Sequence, residues 1–418
     1  MIEDDPQKLK ETTTMTTNTA VSTFDTQSQH VTLLQSGGLI GFGVLALLPN
    51  GVISTLLGAL VDEGRLTEAG VGVTAMFEAV LMAATLIGCS MFMAPRRLRA
   101  TAFGVTVALT AANLATRGAS GEMLNVVRGV AGVAEGLMMW LGASMIVRTR
   151  NPARTSALKF LVLSLSQLAV SGLLTGIVLP QFGADGAYVL IGAITMTGCI
   201  LAFFAADSLG ELPGAKGRVR GNPTPLGWVA LFAVLVYTGA LSAVIIYTVP
   251  LAQSFGLSVT SARTAVSVYL GASILGSFLA AIIAGRVSYV LVLSCTTLCF
   301  LGIWSVYALS LGTVSFILAT GMSGVVAMFV APFVTPMLID IDPSRRTALQ
   351  GGGAQLLSGG LGPFIAATVI PFGGTHMVLV ASSTMLLTGI AMIMLIIKYN
   401  RTLIRDRAVL QTAISAEA

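Results

Sequence analysis

The sequence predicts an all-α integral membrane protein: twelve transmembrane helices in two six-helix bundles, with both termini cytoplasmic. Three observations carry that expectation. The 418-residue chain is 55% hydrophobic and only 10% charged, whereas a soluble domain carries roughly a quarter charged residues. Apolar stretches of roughly 20 residues, the length that crosses a ~30 Å hydrocarbon core, recur along nearly the whole chain and give a mean hydropathy of +0.88. Basic residues, finally, crowd into alternate connectors. Backbone polar groups in lipid must be satisfied within the chain, so only helices or a closed barrel can span. Unbroken apolar runs without strict alternation select helices.

The elements follow in order. Residues 1–30 contain no apolar core of the kind a cleaved secretory signal needs, and their threonine-rich, polar makeup predicts a disordered tail. Six spans are expected near 33–61, 71–93, 100–118, 122–147, 156–181 and 186–206. The stretch "DSLGELPGAKGRVRGNPTP", rich in glycine and proline, marks the longest internal connector, 207–225. Six more spans are expected near 226–252, 262–285, 289–310, 313–339, 347–371 and 376–398. The domains are then an N-terminal bundle over 31–206 and a C-terminal bundle over 226–398, with a tail over 399–418.

Orientation follows from the basic residues. Arg96, Arg97, Arg99, Arg148, Arg150, Arg154, Lys216, Arg218, Arg220, Arg286, Arg345 and Arg346 fall in one set of connectors, with Lys398, Arg401, Arg405 and Arg407 in the tail. The other set holds only Arg65, Arg117 and Arg263. The positive-inside rule puts the first set, and both termini, in the cytoplasm.

Topology therefore accounts for the net charge of +5, and no nucleic-acid partner is indicated. Cys89, Cys199, Cys295 and Cys299 lie inside apolar runs, where thiols act as small hydrophobes. His30 and His376 are far apart. No disulfide framework, metal site or cofactor is expected.

Ionisable residues inside the spans are costly, about 2.5–3.5 kcal/mol each by insertion scales. Three stand out: Glu78, Arg128 and Glu135, all in the first half. Glu78 in the second span and Arg128 in the fourth both fall about 10 Å below the outer boundary at ~1.5 Å per residue, so an ion pair between the two helices is expected. Glu135 lies two turns beyond Arg128 on the same face, roughly 10 Å along the axis. That spacing predicts no direct salt bridge. A desolvated carboxylate without a cation holds a proton more readily than one in water, so Glu135 is the expected proton carrier. Arg128 could alternatively meet a substrate carboxylate with its planar fork.

The two-halved, twelve-span plan with a long central connector resembles the major facilitator superfamily of secondary transporters, over about residues 31–400. In the fourth span, Leu124, Arg128 and Gly132 fit the family's spacing, and the resemblance makes Arg128 its buried span-four arginine. Ala131 stands where the family usually has glutamine, and Glu135 where it usually has a small residue. In "GCSMFMAPRR", Gly88, Arg96 and Arg97 match the family's gating loop, while Phe92 and Pro95 replace its aspartate and second glycine. Between spans eight and nine Gly285 is kept and Tyr289 replaces the acidic position. The antiporter motif of span five is only partly kept, with Gly172 and Gly176 in register and Pro180 displaced; Gly362-Pro363 in span eleven is closer to it.

The resemblance also makes Tyr237 and Gln355 cavity candidates, because spans seven and eleven face the central pathway in the family. Asn50, Asn113 and Gln167 are candidates in the first half. Pro49-Asn50-Gly51 predicts a bend, and "QGGGAQLLSGGLGPF" a span that packs closely and can flex.

The expected function is secondary active transport of a small organic solute by alternating access, coupled to protons and leaning to uptake of an organic acid. Efflux of a drug or metabolite in exchange for protons is the alternative. A non-transporting sensor or scaffold is the rival of another class, disfavoured by the short tails. An enzyme is not expected, and no phosphate-binding loop supports direct ATP drive. The chain is expected to work as a monomer in the lipid bilayer of a cell membrane, with compact connectors pointing to a bacterial inner membrane.

Overall fold

The computed structural model describes residues 33–212, 222–309 and 311–417, and is helical throughout those residues apart from turns. The 1–30 tail and residues 213–221 of the 207–225 connector lie outside the described residues. Eleven helices are long and apolar enough to cross a membrane. One of them, Pro152–Phe204, is 53 residues long, about 80 Å at ~1.5 Å per residue. It cannot be a single span. The backbone turns at Gly183 (φ 63, ψ −161), a conformation open to glycine, and the chain crosses a second time. Ala184 N–H just past the turn donates to Glu63 Oε1 at 2.6 Å, tying the bend to the end of the first span. Among the described residues the crossings therefore number twelve.

Helix starts are written in the sequence. Thr67, Asn151, Thr224, Ser258 and Ser288 each accept a backbone N–H of the following turn, at the second, fifth, seventh, eighth and ninth spans. Pro152 and Pro225 sit in the first turn, where a missing N–H is harmless. Asp342 performs the same service for the eleventh span, accepting from Thr347 N–H at 3.3 Å and Thr347 Oγ1 at 2.6 Å. The first span, Leu33–Asp62, carries Pro49 within one continuous helix. There Gln167 Nε2 donates to the Leu47 carbonyl at 2.9 Å.

Boundaries shift from expectation at three places. The seventh span ends at Ile246, and a short helix, Thr248–Ser254, continues it. The tenth span is interrupted by a 3₁₀ turn, Ala331–Phe333. The last helix runs from Met377 to Glu417, past the apolar stretch that ends at Asn400.

Burial is inverted relative to a soluble protein. Phe372 is 83% exposed, Phe203 75%, Val314 71% and Leu298 70%. Such residues belt the outside, where lipid is the solvent. This is a multi-pass membrane protein.

The cores of the two halves differ. In the C-terminal half one large cluster runs from Ala230 to Ile397, taking in Val147, Ala153 and Ala157 of the other half, and a small one lies around Ala243, Ala366 and Val378. In the N-terminal half two main clusters are stacked, one around Leu45, Met82, Leu109 and Met138, the other around Leu56, Leu66, Leu124 and Tyr188, beside a small third one at Val44, Phe160 and Leu163. A polar layer lies at their seam.

The halves meet through the second span against the eleventh and the fifth against the eighth. Gly352 and Gly353 let the eleventh span approach Leu86 and Ile87, and Ser164 Oγ lies 3.2 Å from Ser277 Oγ. At the face carrying the central connector the halves are closed, and Arg345 donates across to the Val147 carbonyl at the end of the fourth span. Arg148, beside it, donates to the carbonyls of Ser144 (2.7 Å) and Gly210 (2.9 Å). Burial, reinforced by the neighbouring Arg345, pushes Arg148 down to about 10. Toward the opposite face the halves part around an open cavity of about 1020 Å³, lined among others by Asn50, Asp62, Glu63, Thr175, Ile246 and Ser267.

Candidate functional site

Three glycines explain the polar seam. A Cβ on Gly132 would run into the main-chain carbonyl of Glu78, one on Gly136 into that of Met82, and one on Gly129 into the side chain of Leu81. The second and fourth spans, Glu68–Phe92 and Glu122–Ile146, therefore touch backbone to backbone. That contact places Glu78 against Arg128.

Arg128 is 2% exposed and Glu78 1%. The guanidinium grips the carboxylate with both arms: Nε donates to Glu78 Oε2 at 3.0 Å, and Nη2 donates to Oε1. This is the bidentate geometry in which arginine pairs best. Its remaining arm, Nη1, donates to Asn113 Oδ1 on the third span at 2.9 Å. Asn113 in turn reaches Thr195 on the sixth span at 3.5 Å, and the Tyr188 ring lies 5.5 Å from the guanidinium carbon. Four spans thus converge on one cation.

Glu135 joins them. Its Oε1 lies 3.8 Å from Arg128 Nη2, which corrects the expectation that the two are out of reach. Helical side chains lean toward the N-terminus, so Glu135 tilts back over the two intervening turns. Glu135 is fully buried (0% exposed) and interacts electrostatically with Glu78 as well as Arg128. Neither of its carboxyl oxygens has a hydrogen-bond partner among the described residues. The arrangement is two carboxylates around one guanidinium. With both ionised the cluster bears a net negative charge in a site stripped of water, and a single proton makes it neutral.

A second, separate site lies between the halves. A cavity of about 200 Å³ is bounded by Leu47 on the first span, Met139 on the fourth, Ser156, Lys159 and Phe160 on the fifth, Thr335 on the tenth and Gln355 on the eleventh. Lys159 is 7% exposed, and its ammonium sits 4.3 Å from the centre of the Phe160 ring.

No family model matches the sequence, and no curated protein matches it. Solved structures do. One is FucP, described as a major facilitator superfamily transporter in the outward conformation, at 14% identity and TM-score 0.60, with 87% of this chain and 99% of that chain covered. A second is the E. coli fucose:proton symporter FucP, at 13% identity and TM-score 0.63, covering 87% and 97%. The human organic anion transporter MFSD10 (TETRAN) aligns at 15% identity and TM-score 0.64, covering 87% and 98%. The chain has the major facilitator superfamily fold.

Within that fold the family-like loop between spans two and three is built without its acidic half. Arg97 takes a left-handed conformation (φ 55) just before the third span, and Leu98 N–H donates to the Asp207 carbonyl at 2.8 Å. Gly88 has open space around its Cα. No ion pair to Arg96 or Arg97 is found among the described residues. The Arg345 and Arg148 contacts described above close this face instead.

The remaining candidates separate. Asn50 lines the open cavity, and its amide lies 3.7 Å from Met82 Sδ, one turn beyond Glu78. Gln355 lines the inner cavity. Tyr237 is packed inside the C-terminal bundle, with its hydroxyl 3.3 Å from Thr296 and 3.4 Å from Thr297, and it lines neither cavity.

Sequence reasoning missed Lys159. It lies near the start of a span, where a lysine reads as interfacial. The signal was its periodicity: Ser156, Lys159, Phe160 and Leu163 follow the three-and-four spacing of one helix face, and all four are buried.

Proposed function

We propose that the protein is a proton-coupled secondary transporter of a small organic solute, working by alternating access between its two bundles. One observation carries the coupling: Glu78 and Glu135 share the single buried guanidinium of Arg128, so the cluster changes from charged to neutral on binding one proton. Such a change is expensive to leave uncompensated in a low-dielectric interior, which makes it able to bias two conformations. Glu135 is the proton carrier in this reading, because its oxygens are unsatisfied while Glu78 is doubly bonded. Arg128 is then a holder of the proton site. Each of its three nitrogens already donates within the chain, which leaves little for a substrate.

The positive-inside distribution places the closed, arginine-rich face in the cytoplasm, so this conformation is open outward. Asn50 stands in the open cavity and touches Met82 beside the cluster, which gives protons a short way in. The pathway is complete in one chain, in keeping with a monomer, and the compact connectors favour a bacterial inner membrane. Uptake of an organic acid is the preferred direction. Two of the similar structures, a fucose:proton symporter and an organic anion transporter, support coupling and cargo class respectively.

The test is solute-dependent proton entry into proteoliposomes, read with an internal pH dye under an imposed gradient. Organic acids should bring protons in with them, and Glu135→Gln should abolish gradient-driven accumulation. Unchanged accumulation in that variant would remove Glu135 from the coupling role. Proton exit on solute entry would favour the antiporter.

A further inference from the structure

Among the described residues, most cations drawn at least partly into the interior have partners within the chain. Arg128 has Glu78, Glu135 and Asn113. Arg65 has Glu63 and Asp185, at 3.3 and 2.7 Å. Arg148 and Arg345 donate to main-chain carbonyls. Lys159 has no carboxylate within 4.0 Å and no hydrogen-bond acceptor among the described residues. Its company is the face of Phe160 and the inner cavity. An isolated buried charge is strongly unfavourable unless something pairs with it. The cavity leaves room for a partner from outside the chain.

We infer that Lys159 is the anchor of the solute site, and that the solute is a small amphipathic monoanion, a monocarboxylate in the first instance. This rests on the transport reading above and names the site and cargo class it leaves open. The cavity supplies the rest of the recognition. Ser156 and Thr335 offer hydroxyls and Gln355 an amide, each able to donate to carboxylate oxygens beside the ammonium. The other walls are mostly apolar, which suits a hydrocarbon or aromatic body and penalises a second charge. One cation against such walls selects one negative charge. The volume, about 200 Å³, equals the liquid volume of roughly six or seven waters at about 30 Å³ each, so the ligand is small.

Two placements connect this site to the proposed transport cycle. Ser156, Lys159 and Phe160 belong to the N-terminal half, while Thr335 and Gln355 belong to the C-terminal half. A bound anion would bridge the bundles that have to rock. Met139, which lines the cavity, lies one turn beyond Glu135 on the fourth span. One helix therefore carries the proton cluster on one turn and a wall of the anion site on the next.

The experiment uses the purified full-length protein and compares binding of benzoate, lactate and acetate with that of benzamide, lactamide, acetamide and inorganic phosphate, by thermal stabilisation and by calorimetry. Wild type should bind at least one monocarboxylate and not its amide. Lys159→Gln should weaken that binding roughly ten- to hundredfold, the loss expected for a charge-assisted hydrogen bond, and Lys159→Arg should recover most of it. Lys159→Met serves as a second, apolar replacement should the glutamine variant fold poorly. Equal binding of acid and amide, tighter binding of phosphate, binding of none of the acids, or undiminished binding in both neutral variants would each overturn the assignment. Proton entry, measured separately in wild-type liposomes, keeps the two claims apart. Lys159-dependent binding without proton movement would sink the coupling reading and leave the anion site standing. Proton movement with Lys159-independent binding would do the reverse.

Discussion

The fourth span and the tenth are built on the same device and filled with opposite chemistry. Gly132 of the fourth lies on the carbonyl of Glu78 in the second span, and Gly324 of the tenth lies on the carbonyl of Tyr269 in the eighth. Four residues before these glycines stand Arg128 and Thr320; three after them, Glu135 and Ala327. Even the third partner is matched. Asn113 of the third span accepts from Arg128 at 2.9 Å, and Tyr307 of the ninth donates to Thr320 at 3.0 Å. A duplication that is weak in the residues is thus plain in the packing. The close helix contact is the part both halves need for the fold. The charge cluster sits in one half alone, at the seam between its two main core clusters, whereas the other half keeps hydroxyls at the matching place beside one large cluster. In the proposed reading, proton coupling belongs to the N-terminal half, and the C-terminal half supplies the wall it moves against.

The comparison can be broken most severely at its centre. Arg128→Met leaves two buried carboxyls without their cation and should cost about 3–5 kcal/mol, seen as a large fall in melting temperature or as failure to purify a folded monomer. Thr320→Val, its counterpart, should cost about 1 kcal/mol or less. Similar losses at the two positions would mean that the charge cluster is not what distinguishes the halves.

Next come the glycines. Gly132→Leu and Gly324→Leu each drive a side chain into a neighbouring backbone, and each should destabilise by about 1–3 kcal/mol. Here the expected result is equality, and a tolerated substitution at either site in thermal unfolding would undo the structural duplication. Smaller effects separate the third partners. Asn113→Ala strands one arm of Arg128 and should cost about 1–3 kcal/mol, while Tyr307→Phe removes one neutral hydrogen bond and should cost about 0.5–1.5 kcal/mol. Tyr307→Phe should leave proton-driven transport intact. A transport defect there, at unchanged stability, would put function in the C-terminal half as well.

Hydropathy and the distribution of arginine made the architecture legible, because span length and backbone satisfaction leave few alternatives in lipid. The turn between spans five and six falls in the expected gap between 181 and 186, although no polar loop marks it. Gly183 does the work there with a left-handed backbone rather than a polar loop, and "VLPQFGADGAY" shows only a dip in hydropathy. The approach of Glu78 and Arg128 could be reasoned from equal depth. Contact between Arg128 and Glu135 could not, since axial spacing says nothing about how far two long side chains lean toward each other. Lys159 was hidden for a related reason. Its place near a span end suggested an interface, and only the burial of the whole Ser156–Leu163 face reveals that it points inward. Tyr237 illustrates the converse. A span that faces the pathway still buries most of its residues elsewhere, and one-dimensional pattern does not say which.

The most direct test of the central claim is infrared difference spectroscopy of the purified protein titrated across neutral pH. The account predicts a protonated-carboxyl band that appears and disappears with pH, is lost in Glu135→Gln, and persists when the surface carboxylate Glu122 is changed to glutamine. A band that survives unchanged in Glu135→Gln, or no titrating buried carboxyl at all, would contradict it.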